Sequence, residues 1–423
     1  MNQPDPSVAR RMLPWMVVGI VVLAINLRAP IIAPTAVLGD IQDDTGLSAA
    51  GVGLLTGLPV LLFALVTPVA GKAIGRFGAE AAVLSCLTGV LLGTVLRSLG
   101  PPWLVLVGTG IIGFAITLGN IAVPVIIRRE VPWSQVSMVT GLYSATMNVG
   151  SMITLLGTGP LAAAVGWRWA VAIWGGMAVL GLAYWLFAIR LRIRRNAIVA
   201  AAAETPPTPA PTPERRPWRE APPEFRAIIA LLVVTFSGQS IAYYTTTTWL
   251  PSILADTGGL SATASGGTAS LFQIAAILGA FGVPLLAART KPWVPVAIIA
   301  ALWLSLPVGL LLAPSSFVLW SITGGIAQGG GFTAIFSIIA RTAGSDRETA
   351  SASARVQGGG YLAATLAPPF AGWLGNVTDG WTAPILLILA ATLAFTITGL
   401  LAVRISGRFR GGGPATRREV LDE

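Results

Sequence analysis

Apolar runs of about twenty residues follow one another from end to end of this chain. A run of that length is what an α-helix needs to cross a hydrocarbon core about 30 Å thick. Only 10% of the 423 residues are charged, against about 25% in a soluble domain, too few for a water-facing surface of this size. Backbone polar groups inside a bilayer must be satisfied within their own element, and runs this long satisfy them as helices. The fold class is therefore all-α integral membrane. Twelve spans are expected near 13–37, 49–70, 80–99, 103–127, 135–164, 169–189, 227–252, 263–287, 294–313, 317–340, 350–374 and 382–403. The first is too long for a cleavable signal peptide, carries Arg28 and lacks a small-residue cleavage site, so it is read as a retained span.

The basic residues orient the bundle. Of 27 Lys and Arg, 23 fall on one set of connections, while the opposite set holds only Arg97 and Arg168, and Arg28 and Arg355 lie within spans. The positive-inside rule places both termini in the cytoplasm, in the inner membrane. The net charge of +10 is thus a topology signal, and nucleic acid is not an expected partner. A Pro-rich basic stretch over 190–226 separates two six-helix bundles, 13–189 and 227–403; 1–12 and 404–423 are cytoplasmic tails. The lone cysteine, Cys86, sits in an apolar run, and histidine is absent, so no metal site or cofactor is expected.

The two bundles repeat. Asp44-Thr45-Gly46 opens the second span and Asp256-Thr257-Gly258-Gly259 the eighth. Gly166-Trp167 precedes the sixth as Gly380-Trp381 precedes the twelfth, and Gly150 has a counterpart in Gly360. Six spans per copy gives copies of the same orientation, related by an axis along the membrane normal. This construction resembles the major facilitator transporters, which implies a solute site near the midplane between halves that rock against each other.

Arg28 lies about two-thirds of the way across the first span. A charge there costs about 2.5–3.5 kcal/mol on insertion scales and usually faces the bundle interior. None of the 17 acids falls inside an apolar run. Arg28 is either a fixed counter-charge for an anionic or strongly polar solute, or it snorkels outward or caps carbonyls at an unwound turn before Pro30. Arg355, near one end of span eleven, is a pathway residue or a snorkelling one. Helical spacing puts Gln239 and Tyr243 on one face of span seven, with Tyr244 beside it. Asn120 and Pro124 share a face of span four, where the proline frees a backbone carbonyl. Other spans offer Asn148, Gln273, Gln328 with Phe332, and Gln357 with Tyr361; each amide is either a solute contact or glue between helices. Gly329-Gly330-Gly331 and Gly358-Gly359-Gly360 lack the Gly-Lys-Ser/Thr of a phosphate loop and read as close helix packing.

Gly71-Lys72-Ala-Ile-Gly75-Arg76-Phe-Gly78 resembles the conformational signature loop of major facilitators, with Gly75 where that loop usually has aspartate. A finer resemblance is to the cyanate/nitroimidazole transporter family. It is carried by Asn26-Leu27-Arg28, Gly119-Asn120, Gln239-Ser240, Ser270-Leu271-Phe272-Gln273, Gln328-Gly329-Gly330-Gly331-Phe332 and Gln357 with Gly360-Tyr361. The resemblance implies a monomeric alternating-access carrier, not an enzyme, for a small anion or compact nitro-heteroaromatic solute. Arg28, Asn26 and the amides and aromatic residues above would line its site. A drug/proton antiporter wants a membrane carboxylate, and a receptor or scaffold remains an open alternative.

Overall fold

The computed structural model describes residues 6–47, 49–202, 218, 221–259 and 262–408. All regular elements among them are helical: α1 (Pro6–Asn26), α2 (Ala29–Ile32), α3 (Leu38–Thr45), α4 (Ala49–Phe77), α5 (Ala79–Ser98), α6 (Pro102–Glu130), α7 (Val136–Val165), α8 (Trp167–Ile173), α9 (Gly175–Ala202), α10 (Pro223–Gly258), α11 (Ala262–Ala287), α12 (Trp293–Leu312), α13 (Phe317–Thr342), α14 (Asp346–Val377) and α15 (Thr382–Ser406). Eleven segments are long and apolar enough to cross a membrane. The twelfth span is α14, long enough at 32 residues but diluted by Asp346, Arg347, Glu348, Arg355 and a run of Ala, Ser and Gly. Leu65, Leu180, Leu278 and Leu366 stand exposed on outward faces, as a lipid-facing surface requires.

One expected helix is not continuous. The first span breaks between α1 and α2, and a 3₁₀ turn over Ala33–Val37 then leads into α3. Pro30 has no N–H to offer the Asn26 carbonyl, and Pro34 has none for the Pro30 carbonyl, so the ladder fails twice. Arg28 lies in the gap with φ −124°. Gly119 permits the approach, because a Cβ there would stand 2.8 Å from Cys86 Sγ and overlap Leu27. The 190–226 linker is shortened at both ends, since α9 continues to Ala202 and α10 begins at Pro223. Its proline-rich centre lies outside the described residues.

Each repeat closes one end with the same bond. Trp167 donates its indole N–H to Asp44 at 2.8 Å, and Trp381 donates to Asp256 at 2.8 Å. The first six spans meet the last six along α4 against α14 and α7 against α11, whereas α1 and α10 scarcely touch. At the end bearing the Arg-rich helix termini, hereafter the basic end, Arg128 of α6 donates to the Ala343 carbonyl at 2.8 Å and pairs with Asp346 at 3.1 Å. Arg341 of α13 crosses the other way, to Ser137 at 3.0 Å. The halves are thus latched there. Gly71 packs against α14, where a Cβ would come within 2.8 Å of Ala354, and Gly78 makes the α4–α5 turn with φ +87°. Arg76 is exposed beside Phe77. At Gly75, where the signature loop's acid is absent, the neighbour on α14 is Arg347, whose Nε would stand 3.5 Å from a Cβ there.

Arg97 is the second departure. Counted with the outer connections at the end of the expected 80–99 span, it lies in the last turn of α5 but is buried, 1% exposed. Gly108 of α6 makes room for it, since a Cβ at that position would stand 3.0 Å from the Arg97 Cβ.

Candidate functional site

A small cavity lies between Arg28 of the first half and residues of the second. Its water-accessible volume is about 10 Å³, room for about one water. Gln239, Ser240, Tyr243 and Tyr244 come from α10, Gln328 and Phe332 from α13, and Phe236 and Tyr361 complete the wall. The Arg28 guanidinium carbon lies 5.6 Å from the centre of the Tyr243 ring, close enough for cation–π attraction. No Asp or Glu lines this space. Among the described residues Arg28 has no salt-bridge partner.

Helix breakage puts the charge there. With α1 ending at Asn26, Arg28 leaves the helical register and projects from the gap instead of lying on a continuous apolar face. The opposing wall is aromatic. Phe236 meets Tyr361 edge-on at 5.5 Å and Phe336 at 5.6 Å, and Phe332 lies 4.4 Å from Phe336. Two further ring contacts cross between halves, Phe63 with Tyr361 at 5.0 Å and Tyr143 with Phe332 at 6.0 Å. Such rings present flat faces and positive edges to a planar solute.

The amides differ in what they have left to give. Gln239 is occupied at both ends: its nitrogen donates to the Gln328 carbonyl at 2.8 Å and its oxygen accepts from Trp303 at 2.7 Å. Gln328 lines the same cavity with its side-chain oxygen buried and unpartnered. Gln273 donates to the Tyr243 hydroxyl and to Thr247, both at 3.4 Å, and so steadies the ring beneath Arg28. Gln357 reaches across the halves to the Asn120 carbonyl at 3.2 Å, the carbonyl that Pro124 deprives of its helical donor. Asn120 accepts from Tyr143 at 3.5 Å. Asn26 and Asn148 are not brought to the cavity. The first donates to Val22 and to Met177 of α9, the second to the Ser144 carbonyl of its own helix.

Arg355 is exposed, bonded to Ser351 and stacked 4.0 Å over the Trp218 ring, away from the cavity. Phe236 and Trp303 are not among the expected site residues, and Ser240 is so only as the neighbour of Gln239. Phe236 and Ser240 lie on the stripe of Gln239 and Tyr243, three to four residues away, and helical spacing alone would have found them. Trp303 sits in an otherwise apolar helix, and nothing local marks it. Among the described residues no group of three or more His, Cys, Asp or Glu side chains could hold a metal ion. The cavity's equipment is one cation, three phenols, an unoccupied amide oxygen and aromatic faces.

The Major Facilitator Superfamily profile matches residues 16–322. The chain is 32% identical over 391 residues to the uncharacterized transporter YycB of Bacillus subtilis, covering 91% of this chain and 92% of that one. It is 31% identical over 392 residues to the 2-nitroimidazole transporter of Escherichia coli, covering 92% and 95%. It is 25% identical over 405 residues to the cyanate transport protein CynX of Escherichia coli, covering 92% and 96%. In fold it is similar to the proton:xylose symporter XylE, with a TM-score of 0.71 at 12% identity over 98% of this chain and 100% of that one. The chain belongs to the major facilitator superfamily, in its cyanate/nitroimidazole transporter family.

Proposed function

We propose that this transporter carries a small anion or a compact nitro-heteroaromatic solute, cyanate- or nitroimidazole-like, by alternating access. The observation that carries the reading is the guanidinium of Arg28 over Tyr243 in a cavity without a carboxylate. Arg28 takes the anionic or electron-rich group, Gln328 offers an amide, and Phe332, Tyr243, Tyr244 and Tyr361 hold the flat faces of the solute. Asn120, Gln239, Gln273 and Gln357 hold those groups in place. The helices of 13–189 and 227–403 act as two units. Because the cation belongs to one and the aromatic wall to the other, rocking them apart dismantles the site and releases the solute. The basic end is the cytoplasmic end by the positive-inside rule. With Arg128 and Arg341 latched, the protein is closed on that side.

Bringing one negative charge into a negative cell costs about 2.3 kcal/mol per 100 mV. No carboxylate lines the cavity to bring a proton with it. Uniport, exchange or efflux therefore fits better than proton symport through a cavity carboxylate. The test is counterflow of labelled 2-nitroimidazole and cyanate in proteoliposomes with the proton gradient collapsed. Transport should persist in wild type and be lost in Arg28→Ala. Complete dependence on the proton gradient would overturn the coupling, and unchanged affinity in Arg28→Ala would overturn the role of Arg28.

A further inference from the structure

Arg97 is outside the cavity, and the proposed transport cycle gives it nothing to do. It is 1% exposed, and among the described residues it forms no salt bridge. Its Nη1 donates to the Pro30 carbonyl at 2.8 Å, an acceptor left open because Pro34, four residues on, has no N–H. That bond engages one of the guanidinium's five donors. Nε and Nη2 are buried with no partner at all. Those two nitrogens lie side by side along one edge of the planar group, the edge that grips two oxygens of an oxyanion at once. Thr94, three residues earlier on the same face of α5, is 2% exposed and its hydroxyl is also unpartnered.

We propose that Arg97 and Thr94 form a second anion-binding position, between α5 and the break in the first span, for a small planar oxyanion or carboxylate. Snorkelling does not account for Arg97, because its free nitrogens are covered. A purely structural strut does not either: the Pro30 carbonyl needs one donor, and a lysine would supply it without leaving a paired edge bare. An unpaired buried charge is strongly unfavourable unless something of opposite sign shares its site. The acceptor it holds belongs to the four-residue α2 at the break, the shortest helix of the first span. Pro30 is two residues from Arg28, so loading at Arg97 acts on the same break that carries the cavity's guanidinium.

The inference does not rest on the transport reading, and its test needs no transport. Nitrate binding to the purified full-length protein is measured by calorimetry and by thermal unfolding, with Arg28→Gln as background to silence the cavity. Saturable nitrate binding should survive in that variant. Adding Arg97→Lys, which keeps the charge and can still reach Pro30 but removes the paired edge, should weaken it about tenfold or more. Its unfolding temperature without nitrate should stay near that of the background. Should Arg97→Lys not fold, Thr94→Val in the same background should weaken nitrate severalfold. No saturable binding in Arg28→Gln means that water alone satisfies Arg97, which overturns the proposal. Nitrate affinity unmoved by Arg97→Lys, or by Thr94→Val where that variant stands in, overturns it equally.

Discussion

Trp303 donates its indole N–H to the side-chain oxygen of Gln239 at 2.7 Å, and Gln239 passes its own N–H to the Gln328 carbonyl at 2.8 Å. Gln239, which lines the cavity, thereby also ties α10 to α12 and α13. Trp303→Phe strands a buried amide oxygen, which costs about 1–3 kcal/mol and should appear as a lower unfolding temperature. Gln328→Leu nearly keeps the buried volume and removes an oxygen that has no partner to lose. It should leave unfolding nearly unchanged and weaken solute binding. Equal effects of the two variants on both readouts would refute this division.

Arg28 and Tyr243 can be separated by chemistry. Tyr243→Phe keeps the ring face and should retain affinity for an anion or nitroimidazole that the wild type binds. Tyr243→Leu removes the cation–π contact, worth about 0.5–2 kcal/mol, and should weaken binding about two- to thirtyfold. Arg28→Lys keeps the charge but loses the planar fork, and should discriminate less between planar and spherical anions. Equilibrium binding to purified protein reads all three.

The twelve spans and the twofold repeat are legible because both are written in long patterns: apolar length and a recurring Asp…Gly-Trp pair. Pro30 and Pro34 also stand in the sequence, yet they tell only that two carbonyls lose their donors. Whether the helix bends, unwinds or finds a side chain depends on Arg97, 67 residues away. Arg97 itself looks like a loop residue, because hydropathy ends the helix where charge begins. Its burial depends on the close approach of Gly108 on the neighbouring helix, which hydropathy does not report. The tie that Gln239 makes is equally hidden, as Trp303 belongs to another span.

The latch at the basic end should be tunable. The Arg128–Asp346 pair is partly exposed, and pairs of that kind contribute about 0.2–1 kcal/mol. Asp346→Asn should therefore raise the population opened at that end by up to about fivefold. A cysteine at Ala343, which is 3% exposed when the latch is closed, reports opening through its rate of modification by a thiol reagent. With Cys86 replaced by Ser, that rate should rise severalfold in Asp346→Asn. A rate that does not change would mean that the latch carries no conformational weight.

The two Trp–Asp clasps are equivalent by sequence but not by load. Asp256 accepts from Trp381 alone among the described residues, whereas Asp44 accepts from Trp167 and also from Arg168 at 2.7 Å. Asp44→Ala should accordingly destabilise more than Asp256→Ala. Each lost hydrogen bond to a carboxylate is worth about 1.5–3 kcal/mol, and the exposed arginine adds at most about 1 kcal/mol. Trp167→Phe and Trp381→Phe, which remove one bond each, should differ less. Denaturant midpoints of the four variants check the order.

Glycine at 329 is demanded by packing. A Cβ there would overlap the Ala276 carbonyl on α11, so the backbones of α11 and α13 approach each other where a methyl group cannot fit. Backbone cannot rotate away as a side chain would, and overpacking of this kind typically costs about 1–3 kcal/mol, occasionally more. Gly329→Ala should lower the unfolding temperature sharply and loosen the wall that carries Gln328 and Phe332, weakening solute binding with it. Gly282→Ala supplies the control, because a Cβ at that position of α11 meets nothing within 4 Å and alanine is the better helix former by about 1 kcal/mol. It should fold as well as wild type or better. Comparable losses in both variants would show that the glycines serve flexibility and not the close approach of α11 to α13.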